Sequence, residues 1–479
     1  MDRNETEYLQ RQMALGKARL RKYVATSGGK TYAKRNIYIK TWKYVDDFLS
    51  GAEDVKRWVI IPGLRGTGKT TILAQTFYEL TAKYGDRINL LYFSLNEAVD
   101  TLGTDLTSVL AEYERLIGES YEVLSKPTVI MIDEVQSDPK WAPVLKALHE
   151  RASQVFLVCS GSSAVHLQDD ADIPGRRAAV ERLYPMNLTE FEMVHHDKYP
   201  ERGLKDELKN ALYYSNDAAQ CYERLLDLKN TVDKYWAKID RSSWRFYVYA
   251  GSLPFALKEK TLADVYDAVL SSVDKVISRD IQQLGRFKPE TTPVIKRLLY
   301  VLAESDVISN NKLSDILGVT PVTVAEILDV LVKAELLVRI PPYGSQASAV
   351  KKPSKYLFMS SVVRAAFFHM AGSSATVATR EGRLYEDIAG LHYYRSFDAL
   401  KYGNVSYDSS EGSADFIVKL PNSRIAIEIG RGSKSSRQVR ETMKRIECKY
   451  GLVICDDALT LSKDRTVIHV PWDYFSLAG

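Results

Sequence analysis

Short apolar runs alternate with amphipathic stretches between Trp58 and Leu188. Such runs predict buried strands, and the amphipathic stretches between them predict helices that cover a sheet. This alternation favours a parallel sheet, because parallel neighbours need a crossover connection. We therefore expect a doubly wound α/β domain. The predicted strands are Trp58–Pro62, Ile88–Ser94, Thr128–Ile132, Val155–Ser160 and Val180–Leu188, and the predicted helices include Thr70–Tyr84, Asp105–Ile117 and Pro143–Ala152.

The pattern changes in the second half of the chain. Helical periodicity predominates over residues 190–285, with one clear interruption at Gly251–Pro254, and mixed α/β periodicity returns over residues 372–479. The helices predicted in the first of these regions are Lys205–Tyr214, Ala218–Asp233, Arg241–Tyr249 and Leu262–Leu284. The strands predicted in the last are Ala414–Leu420, Arg424–Ile429, Gly451–Cys455 and Thr466–Val470. The predicted domains are an arm at 1–45, a core at 46–190, a helical region at 191–288, a small domain at 289–365 and a C-terminal domain at 372–479.

Composition narrows the choice of partners only slightly. The 479 residues exceed what one core usually holds. With 65 Lys and Arg against 61 Asp and Glu, the net charge of +4 permits nucleic acid as a partner without arguing for it. The basic arm is either a solvated helix or a strap that contacts a nucleotide or a phosphate backbone.

Cysteine use and hydropathy favour a cytoplasmic protein. The four cysteines are scattered, with no paired spacing that suits zinc or a disulfide framework, so we expect reduced thiols packed in cores. No signal peptide and no apolar run of membrane-spanning length is present, so we expect a cytoplasmic protein without a membrane partner.

The first predicted strand runs into a phosphate-binding motif. The residues Gly63-Leu64-Arg65-Gly66-Thr67-Gly68-Lys69-Thr70, followed by Thr71, fit G-x-x-x-x-G-K-[ST]. The glycines allow backbone N–H groups to surround phosphate at the N-terminus of the next helix. Lys69 would reach the β- and γ-phosphates of ATP, and the Thr70 hydroxyl would bind Mg²⁺.

The third predicted strand ends in two adjacent acids. Asp133 follows the apolar run Ile130–Ile132, and a carboxylate at this strand end can hold Mg²⁺. The adjacent Glu134 can orient or deprotonate the attacking water. This pair favours an ATPase over a small-molecule kinase or a GTPase.

Four further positions are candidates for contact with the γ-phosphate. Ser160 and Ser162 follow the fourth predicted strand, where a polar group would sense phosphate loss, although a plain Ser/Gly turn explains them nearly as well. Arg176 and Arg177 precede the fifth strand. An arginine here either stabilises charge on the transferred phosphoryl group, in its own or a neighbouring subunit, or belongs to a solvated turn.

The order of these motifs resembles that of the AAA+-type P-loop ATPases of archaea and bacteria, which are related to origin-recognition and STAND proteins. The resemblance rests on the phosphate loop, Ile132-Asp133-Glu134, Cys159–Ser163, and Gly175-Arg176 leading to Leu183–Met186 and Phe191. In this group a helical lid, a winged helix and a restriction-nuclease-like domain follow the ATPase core. The resemblance also implies that Pro254, in Gly251-Ser252-Leu253-Pro254, packs near the adenine.

The winged helix has independent support in the sequence. Val294–Glu304, Asn311–Leu317 and a helix starting after Thr320-Pro321 and running to Leu337 form the helices, and Leu336–Ile340 and Lys355–Met359 form the strands. The third helix presents an acidic-leaning face, so the wing lysines are the better phosphate contacts. These lysines are Lys351, Lys352 and Lys355. The alternative is a module that only packs or binds protein.

The C-terminal domain resembles the PD-(D/E)XK nuclease fold of the same group. The resemblance assigns its Mg²⁺-binding acids to Glu386, Asp415 and Glu428. The expected E-x-K reads Glu428-Ile429-Gly430, and Lys434 could reach in from the following loop. The domain is therefore either a working nuclease or a degenerate scaffold.

These expectations combine into a Mg²⁺-dependent ATPase that binds ATP and ADP and acts on DNA, with a possible homo-oligomeric state. The alternative is a STAND-like nucleotide switch that signals through protein contacts.

Overall fold

The computed structural model describes residues 3–26, 28–161, 178–281, 287, 289–305, 307–344, 352–371, 375–398, 404–421 and 423–479. The chain divides into two compact units, Met1–Tyr184 and Pro185–Gly479. Each unit has its own sheet and is described separately below.

The first unit is built on a parallel sheet of five strands. Its strands are β1 (Trp58–Pro62), β2 (Asn89–Ser94), β3 (Thr128–Asp133), β4 (Val155–Gly161) and β5 (Ala178–Val180). Their order is β2-β3-β4-β1-β5, and each neighbouring pair is parallel. Strands β1, β3 and β4 are buried throughout, as expected for a sheet covered on both faces. The expected α/β core is thus confirmed.

Helices cover the two faces of this sheet over separate apolar cores. They are α1 (Arg3–Val24), α2 (Asn36–Leu49), α3 (Lys69–Tyr84), α4 (Leu95–Leu102), α5 (Leu106–Ile117) and α6 (Trp141–Arg151). The solvated-arm interpretation is wrong for α1, because Leu9 and Leu20 are buried, one in each core. Helix α2 runs through residue 45, where a domain boundary was expected.

The fifth strand differs from its prediction. It spans Ala178–Val180, whereas the apolar pattern predicted Val180–Leu188. The following residues still attach to the edge of β1, since the N–H of Leu183 donates to the oxygen of Pro62 at 2.8 Å. Leu183 is also packed into one of the two apolar cores, which accounts for its burial.

The second unit begins with short helices. They are α7 (Leu188–His196), α8 (Leu204–Tyr213), α9 (Ala218–Asp227), α10 (Lys229–Trp236), α11 (Arg241–Phe246) and α12 (Leu262–Lys275). The single helix predicted over Ala218–Asp233 is two helices. A π-helical turn at Val276–Ile281 follows α12, so the longer predicted helix ends early.

Three helices and an antiparallel strand pair follow. They are α13 (Thr292–Glu304), α14 (Asn310–Leu317), α15 (Pro321–Lys333), β6 (Leu337–Ile340) and β7 (Lys355–Phe358). The Thr320 hydroxyl caps α15 by accepting from the N–H of Thr323, as Pro at the next position predicts. Helix α15 ends four residues before Leu337, its predicted end.

A six-stranded mixed sheet forms the C-terminal part. Its strands are β8 (Asn404–Ser406), β9 (Phe416–Leu420), β10 (Ser423–Ile429), β11 (Tyr450–Cys455), β12 (Thr460–Leu461) and β13 (Val467–Pro471), in the order β12-β13-β11-β10-β9-β8. Its helices are α16 (Ser361–Ala371), α17 (Val377–Tyr393), α18 (Arg437–Arg445) and α19 (Trp472–Phe475). The sequence missed β8 and β12, which are too short to show periodicity.

Within the described part of the chain, no helix has the length and apolarity needed to cross a membrane. All four cysteines are free, and Cys448 alone of them is only partly buried.

Candidate functional site

The loop between β1 and α3 has the backbone shape that phosphate binding requires. Gly66 and Gly68 have φ values of 89° and 99°, which side-chain-bearing residues rarely adopt. A Cβ atom at Gly63 would overlap the carbonyl oxygen of Leu183. Glycine is thus required at these three positions, and the loop leads directly into the N-terminus of α3 at Lys69.

Lys69 is buried and folded back into this loop. Its Nζ donates to the carbonyl oxygens of Gly63 at 2.8 Å and Leu64 at 3.1 Å. A phosphate anion is a stronger acceptor for an ammonium group than a carbonyl oxygen. The same nitrogen is therefore placed to transfer its hydrogen bonds to a bound phosphate.

The carboxylate of Asp133 accepts hydrogen bonds from three hydroxyl groups. Thr70 Oγ1 donates to its Oδ2 at 2.6 Å, the Tyr92 hydroxyl to the same oxygen at 3.3 Å, and Ser160 Oγ to its Oδ1. Burial, followed by the charge of Glu134, raises the pKa of Asp133. A divalent cation would offset this cost, and a buried carboxylate beside a threonine hydroxyl is a donor set that fits Mg²⁺.

Glu134 holds an unusual backbone conformation. Its φ of 55° is left-handed, which costs a non-glycine residue about 1–3 kcal/mol. Gln136 Nε2 donates to its Oε2 at 2.6 Å, and Arg65 Nη2 lies 3.9 Å from the same oxygen. The strained turn thus directs the carboxylate towards the phosphate loop, where these two side chains hold it.

Arg35 was not predicted as a site residue from the sequence, where it is one of several basic residues of the N-terminal arm. It is only 5% exposed, and its Nη1 donates to the oxygen of Thr67 at 2.9 Å. Its Nη2 donates to the oxygen of Tyr184 at 2.8 Å. The guanidinium therefore ties the phosphate loop to the end of the first unit, and no local motif could have revealed it.

Other predicted positions are not brought to this site by the described structure. Ser162, Arg176 and Arg177 lie outside the described residues. Pro254 begins a 3₁₀ turn in the second unit, and its contact with adenine stays a prediction. The preceding Gly251 packs closely against Phe191 and Tyr247, which leaves little room for a side chain there.

A second cluster brings Glu386, Asp415 and Glu428 together in the C-terminal part. Glu386 lies on α17, Asp415 directly precedes β9, and Glu428 lies on β10. Lys355 Nζ forms an ion pair with Glu386 and lies 3.6 Å from Asp415 Oδ1. This position corrects the expectation that Lys355 is a wing contact for phosphate, because its side chain is buried among the acids.

Lys434 occupies the space next to Gly430, the position where the nuclease motif would have a lysine. A Cβ at Gly430 would overlap Cγ and Cε of Lys434, so the stem of Lys434 occupies the place of a side chain at position 430. The Lys434 Nζ lies 2.9 Å from Glu428 Oε1. An ammonium group therefore reaches the acidic cluster from the next loop.

The electrostatics of this cluster suit a cation. Burial raises the pKa of Asp415 to about 6 and also raises that of Glu428, although Lys355 and Lys434 oppose these shifts. Glu428 Oε2 is buried without a hydrogen-bond partner. An unpaired buried carboxylate oxygen is costly, and a divalent ion would satisfy it.

The cluster opens into a cleft of about 770 Å³. Glu386, Lys434, Arg383 and Arg431 contribute to its lining. Basic side chains next to carboxylates are the combination that a phosphodiester substrate with a metal ion would need.

Comparison with known proteins identifies the domain that contains the first site. The family model of the AAA domain matches residues 55–192, and a domain of unknown function (DUF8612) matches residues 241–372. The AAA match implies an ATPase that uses ATP, and its range contains the phosphate loop. The uncharacterized protein MJ1637 of Methanocaldococcus jannaschii is 31% identical over 448 residues, covering 93% of this chain and 89% of that protein.

Two solved structures have low similarity to this chain. The Aeropyrum pernix ORC1 protein in complex with DNA has a TM-score of 0.32 and 14% identity, covering 70% of this chain and 91% of that one. AMPPCP-bound DnaA from Aquifex aeolicus has a TM-score of 0.26 and 13% identity, covering 63% and 90%. At these TM-scores neither likeness carries a functional argument.

Proposed function

Because this chain belongs to the same family as the M. jannaschii protein MJ1637 and contains an AAA domain, we propose that it is a Mg²⁺-dependent ATPase acting on DNA. The observation that carries the ATPase part is the hydrogen bond between Thr70 and Asp133 beside the buried Lys69. The DNA part rests on the acidic cluster of the second unit.

In the first site the protein's own groups bind and orient ATP. Lys69 exchanges its two carbonyl partners for phosphate oxygens, while Thr70 and Asp133 would hold Mg²⁺. When bound, Mg²⁺ neutralises phosphate charge. Glu134 positions a water molecule for attack on the γ-phosphorus, which requires release from Gln136 and Arg65. Ser160 fixes the Asp133 carboxylate from the neighbouring strand, and Arg176 and Arg177 stay predicted charge partners.

Nucleotide binding tests this assignment directly. Lys69→Ala should remove detectable ATP binding in equilibrium titration, because the loop loses its only ammonium group. Lys83→Ala provides the matched control on the same helix, since Lys83 is half-exposed and pairs with Asp46 at 2.5 Å. Equal ATP affinity for Lys69→Ala and the parent protein would remove the site.

For the second site we propose metal-dependent phosphodiester hydrolysis. Glu386, Asp415 and Glu428 would hold the divalent ion, and Lys434 would orient the attacking water. In the reaction, water forms a P–O bond, one ester P–O bond breaks, and the leaving oxygen takes up a proton. The support is the convergence of these acids with Lys434 and the basic cleft.

Lys355 restricts this second site. Its ammonium lies between Glu386 and Asp415, which is where a cation would contact both. A bound divalent ion must therefore share these oxygens with Lys355 or displace it. A double variant, Asp415→Ala/Glu428→Ala, should lose Mg²⁺-dependent cleavage of DNA, and cleavage at the parent rate would exclude this cluster.

A nucleotide switch that signals through protein contacts is the second candidate. Helix α15, which would enter DNA in a winged helix, exposes Glu326 and Asp329 together with Val322, whose exposure is 67%. Acidic groups there would repel phosphate. DNA binding that weakens steeply with added salt supports action on DNA, whereas no binding at low salt to duplex or single strands supports the switch.

A further inference from the structure

We infer that Cys455, Asp457 and His469 form a site for a zinc-class metal ion, distinct from the ATP site and from the acidic cluster. Cys455 ends β11, His469 lies on the adjacent β13, and Asp457 lies in the loop after β11. One ligand atom from each residue lies within 4.8 Å of the other two.

The distances between these atoms match a tetrahedral site. Cys455 Sγ lies 3.4 Å from Asp457 Oδ2 and 3.9 Å from His469 Nδ1, and the last two atoms are 3.6 Å apart. With Zn–S of about 2.3 Å and Zn–N or Zn–O of about 2.0–2.1 Å, tetrahedral ligand atoms lie about 3.3–3.6 Å apart. The observed triangle thus needs shifts of only about 0.4 Å or less to hold a zinc ion.

The same geometry argues against a catalytic Cys–His–Asp triad. In a triad, one imidazole nitrogen faces the nucleophile and the other faces the carboxylate. Here Nδ1 of His469 is the nitrogen nearest to both Cys455 and Asp457.

Neighbouring groups orient the carboxylate ligand. Ser433 Oγ donates to Asp457 Oδ2 at 3.1 Å, and the backbone N–H of Lys434 donates to the same oxygen at 3.3 Å. Such outer contacts are typical of metal ligands. They also join the metal site to the loop that carries Lys434 towards Glu428. A metal ion bound by these three residues would therefore stabilise the loop that carries Lys434. This effect on the acidic cluster rests on the proposed function, whereas metal binding does not.

Exposure indicates how the fourth coordination position is filled. The side chains of His469 and Asp457 are 19% and 33% exposed, so solvent reaches both residues, whereas Cys455 is buried. Three protein ligands with an open position are typical of zinc sites that keep a water molecule. A sulfur-containing set selects zinc-class ions over Mg²⁺, which prefers oxygen ligands.

Cobalt titration of the full chain tests the site. After chelation, Co²⁺ should give one equivalent of thiolate-to-cobalt absorption, and Zn²⁺ should abolish the band. Cys455→Ser should remove the band, and His469→Ala should weaken Co²⁺ binding at least about 100-fold, because even outer contacts cost 10–100-fold. Cys448→Ser is the matched control and should retain the band.

Two further measurements separate this site from its neighbours. Glu428→Ala should leave the thiolate band intact, even if it stops DNA cleavage. Unchanged ATP hydrolysis by Cys455→Ser would show an intact first unit. The inference is overturned if the chelated parent protein gives no thiolate band, or if Cys455→Ser retains the band.

Discussion

Arg35 provides a sharp test of how the phosphate loop is held. Replacement by Ala removes the two hydrogen bonds to the oxygens of Thr67 and Tyr184. Each bond from a charged donor contributes about 1.5–3 kcal/mol, so the loss reaches about 3–6 kcal/mol. If the loop and its strand open together, amide exchange there should accelerate about 100- to 10,000-fold.

Hydrogen exchange followed by mass spectrometry measures this effect on peptides covering residues 58–71. Arg35→Lys retains one donor group and should give a smaller acceleration, because lysine cannot reproduce the forked contact. Arg21→Ala is the matched control, since Arg21 is an exposed arginine on α1. ATP affinity should fall in Arg35→Ala along with loop protection. Exchange within threefold of the parent would refute the role assigned to Arg35.

Three predictions concern the acidic cluster. Lys355→Ala should strengthen Mg²⁺ binding by about tenfold in titration calorimetry, because one competing positive charge near two carboxylates is worth about 1–2 kcal/mol; weaker binding would contradict this. Mg²⁺ affinity should fall as pH drops through about 6, where Asp415 takes up a proton. In the metal-free protein, the raised pKa of Asp415 adds to the stability of the second unit below about pH 4. This contribution is lost as pH rises through about 6. Gly430→Ala should displace Lys434 and reduce cleavage rates at least tenfold, whereas Gly28→Ala, whose added Cβ would meet only Thr26 Oγ1 at 3.8 Å, should cleave normally.

The sequence predicted the parts of the fold that depend on short-range pattern. The buried runs around Trp58–Pro62 and Thr128–Ile132 identified the parallel sheet, since parallel strands buried on both faces are apolar throughout. The glycine spacing of the phosphate loop followed from the same local logic. The prediction extended the fifth strand too far because apolar residues after Val180, such as Leu183, are buried in the core without belonging to the strand.

Contacts between residues far apart in the sequence could not be predicted from local sequence patterns. Arg35 binds backbone oxygens 32 and 149 positions away, and carbonyl oxygens leave no residue-specific signal. Lys355 was assigned to an exposed wing because its partner Glu386 is 31 positions along the chain. Cys455 and His469 were likewise overlooked, because the pairing of β11 with β13 brings them together.

ATP turnover by Glu134→Gln is the measurement that tests the central claim most directly. The amide keeps the size of the side chain but cannot accept a proton from water, while Lys69, Thr70 and Asp133 remain in place. Hydrolysis under single-turnover conditions should fall at least about 100-fold with ATP affinity unchanged. Turnover at the parent rate with normal ATP binding would contradict the assignment of Glu134 and the ATPase mechanism built on it.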